Sequence, residues 1–125
     1  VKKLFVISIL LLVVLISVFY MIKIRILYDD AVVELKLGNI DTAVMMLKKA
    51  NKWGSQEARS LLAEIYAVGD FLHRDRNKAI IYYKKIISSR QREVLNIILY
   101  HLENQKSEKY DLQEAQFWRS YLIQE

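Results

Sequence analysis

The sequence predicts an all-α protein: an N-terminal transmembrane helix followed by a short α-solenoid of about three helical hairpins. Three observations carry that reading. Residues 4–22 form an almost unbroken apolar run. The only three glycines stand at 38, 54 and 69, each one helix plus one turn from the next. Between them apolar residues recur at spacings of three and four, as on a helix with one buried face. Proline is absent, so nothing in the chain forces a helix to break.

The apolar run comes first. Only Ser8, Ser17 and the amphipathic Tyr20 interrupt it. As a helix, nineteen residues reach roughly 28 Å, close to the ~30 Å hydrocarbon core of a bilayer. A buried core helix would keep a polar stripe, and this run has none. A cleaved signal peptide would have a shorter apolar core and a small-x-small site. This run instead ends in Phe19-Tyr20-Met21-Ile22, so a retained anchor over 1–23 is expected, with membrane contact through 4–22. Lys2 and Lys3 precede the run and Lys23 and Arg25 follow it, nearly balancing the charge across it. A short basic tail before a long apolar run has the look of a bacterial signal-anchor. The expectation is a single-pass protein of the bacterial inner membrane, with its helical domain in the periplasm.

The second region, 24–125, reads as helices over about 24–37, 41–52, 56–68, 76–88, 91–103 and 112–123. Glycine is favoured just past a helix end, where it takes the left-handed conformation without Cβ strain. Asp29 and Asp30 could cap a new helix. The absence of Gly or Pro before residue 38 favours one helix running from the membrane into the domain. Ile97-Ile98-Leu99 is β-prone in isolation but sits inside a helical period.

The chain resembles itself at a period of 36. Ala43, Ala79 and Ala115 are spaced by it, and Asp75-x3-Ala79 returns as Asp111-x3-Ala115. Self-similarity at such a period marks stacked helix pairs. Gly38-x4-Ala43-x3-Leu47-x2-Ala50 is similar to the second half of a tetratricopeptide repeat. Ala50-x3-Gly54-x3-Ala58-x3-Leu62-Ala63-x2-Tyr66-x2-Gly69 resembles a Sel1-like repeat, and Arg74-Asp75-x3-Ala79-x2-Tyr82-Tyr83-Lys84-Lys85 continues it. The likeness covers 31–87 well and 90–123 poorly. In the last unit Arg90 and Gln105 stand at the glycine positions and Leu102 replaces Tyr66. The resemblance implies an adaptor or scaffold built from helical hairpins. Ala43, Ala58, Ala63 and Ala79 are then close-crossing positions, and Tyr66, Tyr82, Tyr83, Phe117 and Trp118 their large partners.

Composition narrows the chemistry. At 125 residues the chain holds one small domain besides the apolar run. Without cysteine it has no disulfide, Cys-ligated zinc, iron–sulfur site, thiol nucleophile or lipidated cysteine. The net charge of +5 arises mostly at Lys2, Lys3, Lys23 and Arg25; the remaining 15 Lys/Arg and 14 Asp/Glu nearly cancel. That pattern flanks a membrane segment and offers no basic stripe for nucleic acid.

No phosphate loop or nucleophile elbow is present. His73 and His101 lie 28 positions apart, too far for a helical metal pair. His73 reads as a loop residue and His101 as half-buried. No enzyme, cofactor or metal is expected. Instead the predicted function is a membrane-anchored module that binds a protein partner through its helical groove. An alternative is a periplasmic immunity protein that neutralises a secreted antibacterial toxin, such as a lipase effector of a type VI secretion system. A small enzyme or a structural membrane subunit are further alternatives. In a tetratricopeptide-like stack the first helix of each pair lines the concave face. The candidate partner-binding residues are therefore Glu57, Arg59, Ser60, Glu64 and Ala67. The rival site is the charged loop tip at Arg74 and Arg76, beside Asp75, which is expected to cap the next helix.

Overall fold

The computed structural model describes the backbone of residues 1–123 and the side chains of residues 1–121. Six helices follow one another: α1 (Lys2–Leu37), α2 (Ile40–Lys52), α3 (Gln56–Val68), α4 (Arg76–Lys84), α5 (Ser88–Glu103) and α6 (Leu112–Ile123). Among the described residues there is no strand. The Leu122 side chain, aligned by the period with Ala50 and Ile86, lies outside the described part.

α1 is one helix of 36 residues, roughly 54 Å long at ~1.5 Å per residue. No helix restarts at Asp29 or Asp30, and the expected boundary at residue 23 falls inside α1. Every side chain from 1 to 23 is exposed, while Ala31 and Leu35 are buried and Leu27 and Tyr28 pack on the core. The N-terminal part is long and apolar enough to cross a membrane. Its two serines are satisfied internally: Ser8 Oγ donates to Phe5 O and Ser17 Oγ to Val13 O, each at 2.8 Å.

The helices pack α1 on α2, α2 on α3, α3 on both α4 and α5, and α5 on α6. Ala43, Ala58, Ala63 and Ala79 are fully buried where larger side chains would hold the helices apart. Tyr66 stacks on Tyr82 at 5.9 Å, and Tyr83 meets the edge of buried Trp118 at 5.8 Å.

The turn between α4 and α5 departs from expectation. α4 ends at Lys84 rather than 88, and α5 begins at Ser88 rather than 91. Two glutamines hold this turn. Gln56 Oε1 accepts from the Ile87 N–H at 3.1 Å, and Gln91 Nε2 donates to Ile86 O at 3.0 Å. Ile86 is thereby buried and the backbone satisfied without glycine or proline.

The 36-residue period reappears in hydrogen bonds. The Asp75 N–H donates to Tyr66 O, and the Asp111 N–H to Leu102 O, both at 2.8 Å. Asp75 Oδ1 accepts from the Lys78 N–H at 3.0 Å, and Asp111 Oδ1 from the Glu114 N–H at 3.1 Å. The loop before α6 therefore closes as the loop before α4 does, although Gln105 stands 36 positions after Gly69. Gly69 starts the first of these loops at φ +79°, and a Cβ there would lie 2.9 Å from the Arg74 nitrogen.

Candidate functional site

A cavity of about 250 Å³ opens between α1, α3 and α5. One helical face supplies Glu57, Ser60, Leu61 and Glu64 from α3, and another supplies Arg90, Glu93, Val94 and Ile97 from α5. Tyr28 of α1 closes the side. Polar groups thus line an apolar floor of Leu61, Val94 and Ile97.

The charges divide along the groove. Glu57 Oε1 lies 3.5 Å from Arg90 Nη2 and 3.8 Å from Arg25 Nη1, so this carboxylate is held between two cations. Glu64 and Glu93 make no ion pair among the described residues. Burial pushes the Glu64 carboxyl up to about 7, with the like charges of Glu93 and Asp70 adding to the shift. Burial also raises the Tyr28 phenol, and the Glu64 charge adds to it, while Arg25 opposes both. The half of the groove away from the arginines is therefore an acidic recess without a cation.

Of the five expected groove residues, Glu57, Ser60 and Glu64 line the cavity together. Ser60 is 8% exposed and its hydroxyl donates to Gln56 O at 2.8 Å, so it shapes the wall more than it offers a bond. Ala67 does not face the groove: it is fully buried, within a run from 65 to 68 that is buried on every side of the last α3 turn. Arg59 is a structural clasp and does not line the cavity. Its Nε donates to Asn51 Oδ1 at 2.7 Å and its Nη1 to Lys85 O at 2.9 Å, tying the ends of α2 and α4 to α3.

The rival loop tip is not a free charged surface. Arg74 Nη1 binds Asp111 Oδ2 at 2.6 Å. Arg76 Nε donates to Glu114 Oε1 at 2.9 Å, its Nη2 reaches the other carboxylate oxygen, and the guanidinium lies 3.8 Å from the Phe117 ring centroid. Glu114 is nearly buried beneath this contact. Both arginines therefore lock the α3–α4 loop to the start of α6. An open depression of about 570 Å³ lies beside them, lined by 68–74 and 108–110.

Tyr28, Arg90 and Glu93 escaped the sequence reading, which drew the groove from α3 alone. The period could have found two of them: Glu93 stands 36 after Glu57, and Tyr28 stands 36 before Glu64. His73 is exposed in its loop, and half-buried His101 sits edge-on to Tyr100 at 5.5 Å. Among the described residues no three His, Asp or Glu gather to hold a metal ion. Comparison with protein-family models, with curated proteins and with solved structures finds no match to this chain.

Proposed function

We propose that this chain is a membrane-anchored, non-catalytic protein-binding module, a short Sel1- or tetratricopeptide-like α-solenoid. Its groove between α1, α3 and α5 takes a basic segment of a protein partner. The observation that carries this reading is the acidic recess: Glu64 and Glu93, without cations, beside the apolar floor of Leu61, Val94 and Ile97. A lysine or arginine side chain matches both parts, since its methylene stem packs on apolar surface while its head meets carboxylates. The matched hydrogen bonds at Asp75 and Asp111 support the repeat reading. α1 is the single membrane pass, placed in a bacterial inner membrane with the helical domain on the periplasmic side.

Two experiments test the proposal. A photo-crosslinking residue at Ile97 should capture a partner in intact membranes, and Glu64→Lys with Glu93→Lys should abolish the adduct without loss of helicity. An adduct that survives the double substitution would refute the groove as the binding site. The chain has no cysteine, so a single one introduced at Lys106 reports topology. Labelling by a membrane-impermeant maleimide in cells with a permeabilised outer membrane is expected; labelling only after lysis would put the domain in the cytoplasm.

A further inference from the structure

The helices alternate in direction, so the α2–α3 and α4–α5 turns return to the end of the domain where α1 leaves the apolar run. Their level is set by contact. Met21, Ile24 and Arg25 of α1 share one groove with Gly54, Ser55, Gln56 and Arg90. Gln56 in turn holds the Ile87 N–H, and Arg59 the Lys85 carbonyl. Both turns therefore stand beside residues 21–25, at the edge of the apolar segment.

This end is basic. The first turn brings Lys49 and Lys52, and the second Lys84, Lys85, Arg90 and Arg92, to the end where Lys23 and Arg25 of α1 stand. No acid occurs between 42 and 56 or between 76 and 92. Glu57, just beyond, is held by Arg25 and Arg90. The opposite end differs: its loops carry Asp70, Asp75, Glu108 and Asp111 among their cations. Ordinary solvated turns would explain lysines at either end, but not their concentration beside the apolar helix.

Each basic turn also exposes a large apolar side chain. Trp53 is 46% and Ile87 50% exposed, and Lys49 Nζ lies 5.0 Å from the Trp53 ring centroid. Tryptophan beside lysine suits the bilayer interface, where the ring sits among headgroups and the ammonium reaches phosphate.

We infer that this end of the domain rests on the bilayer, its lysines and arginines against the phosphates of anionic phospholipids and Trp53 and Ile87 set into the interface. The inference rests on α1 crossing the membrane. It adds a second, electrostatic attachment that depends on lipid charge and on salt.

The two tryptophans supply the test, because Trp118 is fully buried and should be shielded from lipid. The full chain is reconstituted in vesicles of phosphatidylcholine, with or without phosphatidylglycerol, carrying brominated acyl chains. Alkaline carbonate extraction is performed first. Retention with quenching of tryptophan emission in the anionic vesicles is expected, and Trp53→Phe should remove that quenching. Lys49→Glu, Lys52→Glu, Lys84→Glu and Lys85→Glu together should cut it by about half or more, as should about 1 M salt, which needs no variant to fold. Release by carbonate would overturn the membrane pass and this inference with it. A retained chain whose quenching is absent, or is indifferent to lipid charge and salt, would overturn the surface attachment alone.

Discussion

Arg74 and Asp111, 37 positions apart, are joined at 2.6 Å through the same carboxylate that caps α6. One aspartate thus ends one loop, starts a helix and receives the arginine of the preceding loop. The neighbouring Arg76–Glu114 pair repeats the logic with a ring beneath it. An isolated surface ion pair contributes little. Here the pairs join segments distant in sequence and give both Arg74 and Arg76 a carboxylate partner.

Asp111→Ala should cost on the order of 1 kcal/mol, the usual loss for a cap, plus a smaller loss from the arginine contact. Asp111→Asn should cost less, since asparagine also caps. The Glu114 N–H and the Arg74 guanidinium hold this carboxyl below its ordinary 3.8. Its contribution is therefore present above that value and lost as pH falls through the lower folded one. Thermal melts should show the difference between wild type and the Asn variant closing in acid.

Glu64 gives the opposite sign. Its folded value near 7 lies above the ordinary 4.5, so between them the folded chain keeps a proton that the unfolded chain has lost. Stability therefore falls as pH rises across that window. Glu64→Gln should leave the melting temperature unchanged at about pH 4 and raise it at about pH 8. Equal shifts at both would contradict the buried carboxyl.

The glycines should not be equivalent. A Cβ at Gly54 meets nothing within 4 Å, whereas one at Gly69 lies 2.9 Å from the Arg74 backbone nitrogen. Both sit at positive φ, so Gly54→Ala should cost about 1–2 kcal/mol from the left-handed conformation alone. Gly69→Ala should cost clearly more, because the loop that carries Arg74 must also move. Chemical denaturation of the two variants checks the order.

Arg59→Ala should destabilise the fold by on the order of 1 kcal/mol or more, through loss of its part-buried bonds to the Asn51 side chain and carbonyl and of its bond to the Lys85 carbonyl. Arg59→Lys should not restore it, because an ammonium cannot span both in the geometry of a guanidinium. Partner binding should follow the fraction folded. A loss of binding at full stability would return Arg59 to the recognition surface.

What the sequence made legible was governed by local rules. The three-and-four spacing located α2 and α3 to within a residue. Asp75 announced its cap, and the alanines at 43, 58, 63 and 79, expected where helices cross closely, are fully buried. What it concealed depended on distant partners. The α4–α5 turn is made by Gln56 and Gln91, and neither residue type marks a turn. Arg74 and Arg76 read as a charged loop tip because Asp111 and Glu114 lie more than thirty positions away. Ala67 was misplaced because a helical wheel gives direction but not depth, and the last turn of α3 is enclosed all round.

α1 passes from its apolar half to its packed half without a glycine, a proline or a gap in its helix. With residues 4–22 in the bilayer, it acts as a ruler. Tyr28 stands six residues beyond Ile22, a rise of roughly 9 Å, so the acidic recess opens at about the height of the headgroups. No glycine or proline interrupts the helix between the two. A bulky folded partner would collide with the lipid surface before reaching Glu64. If the recess takes the basic protein segment proposed above, that segment would be a slender one: a tail, a loop, or the basic stretch flanking another protein's own membrane helix.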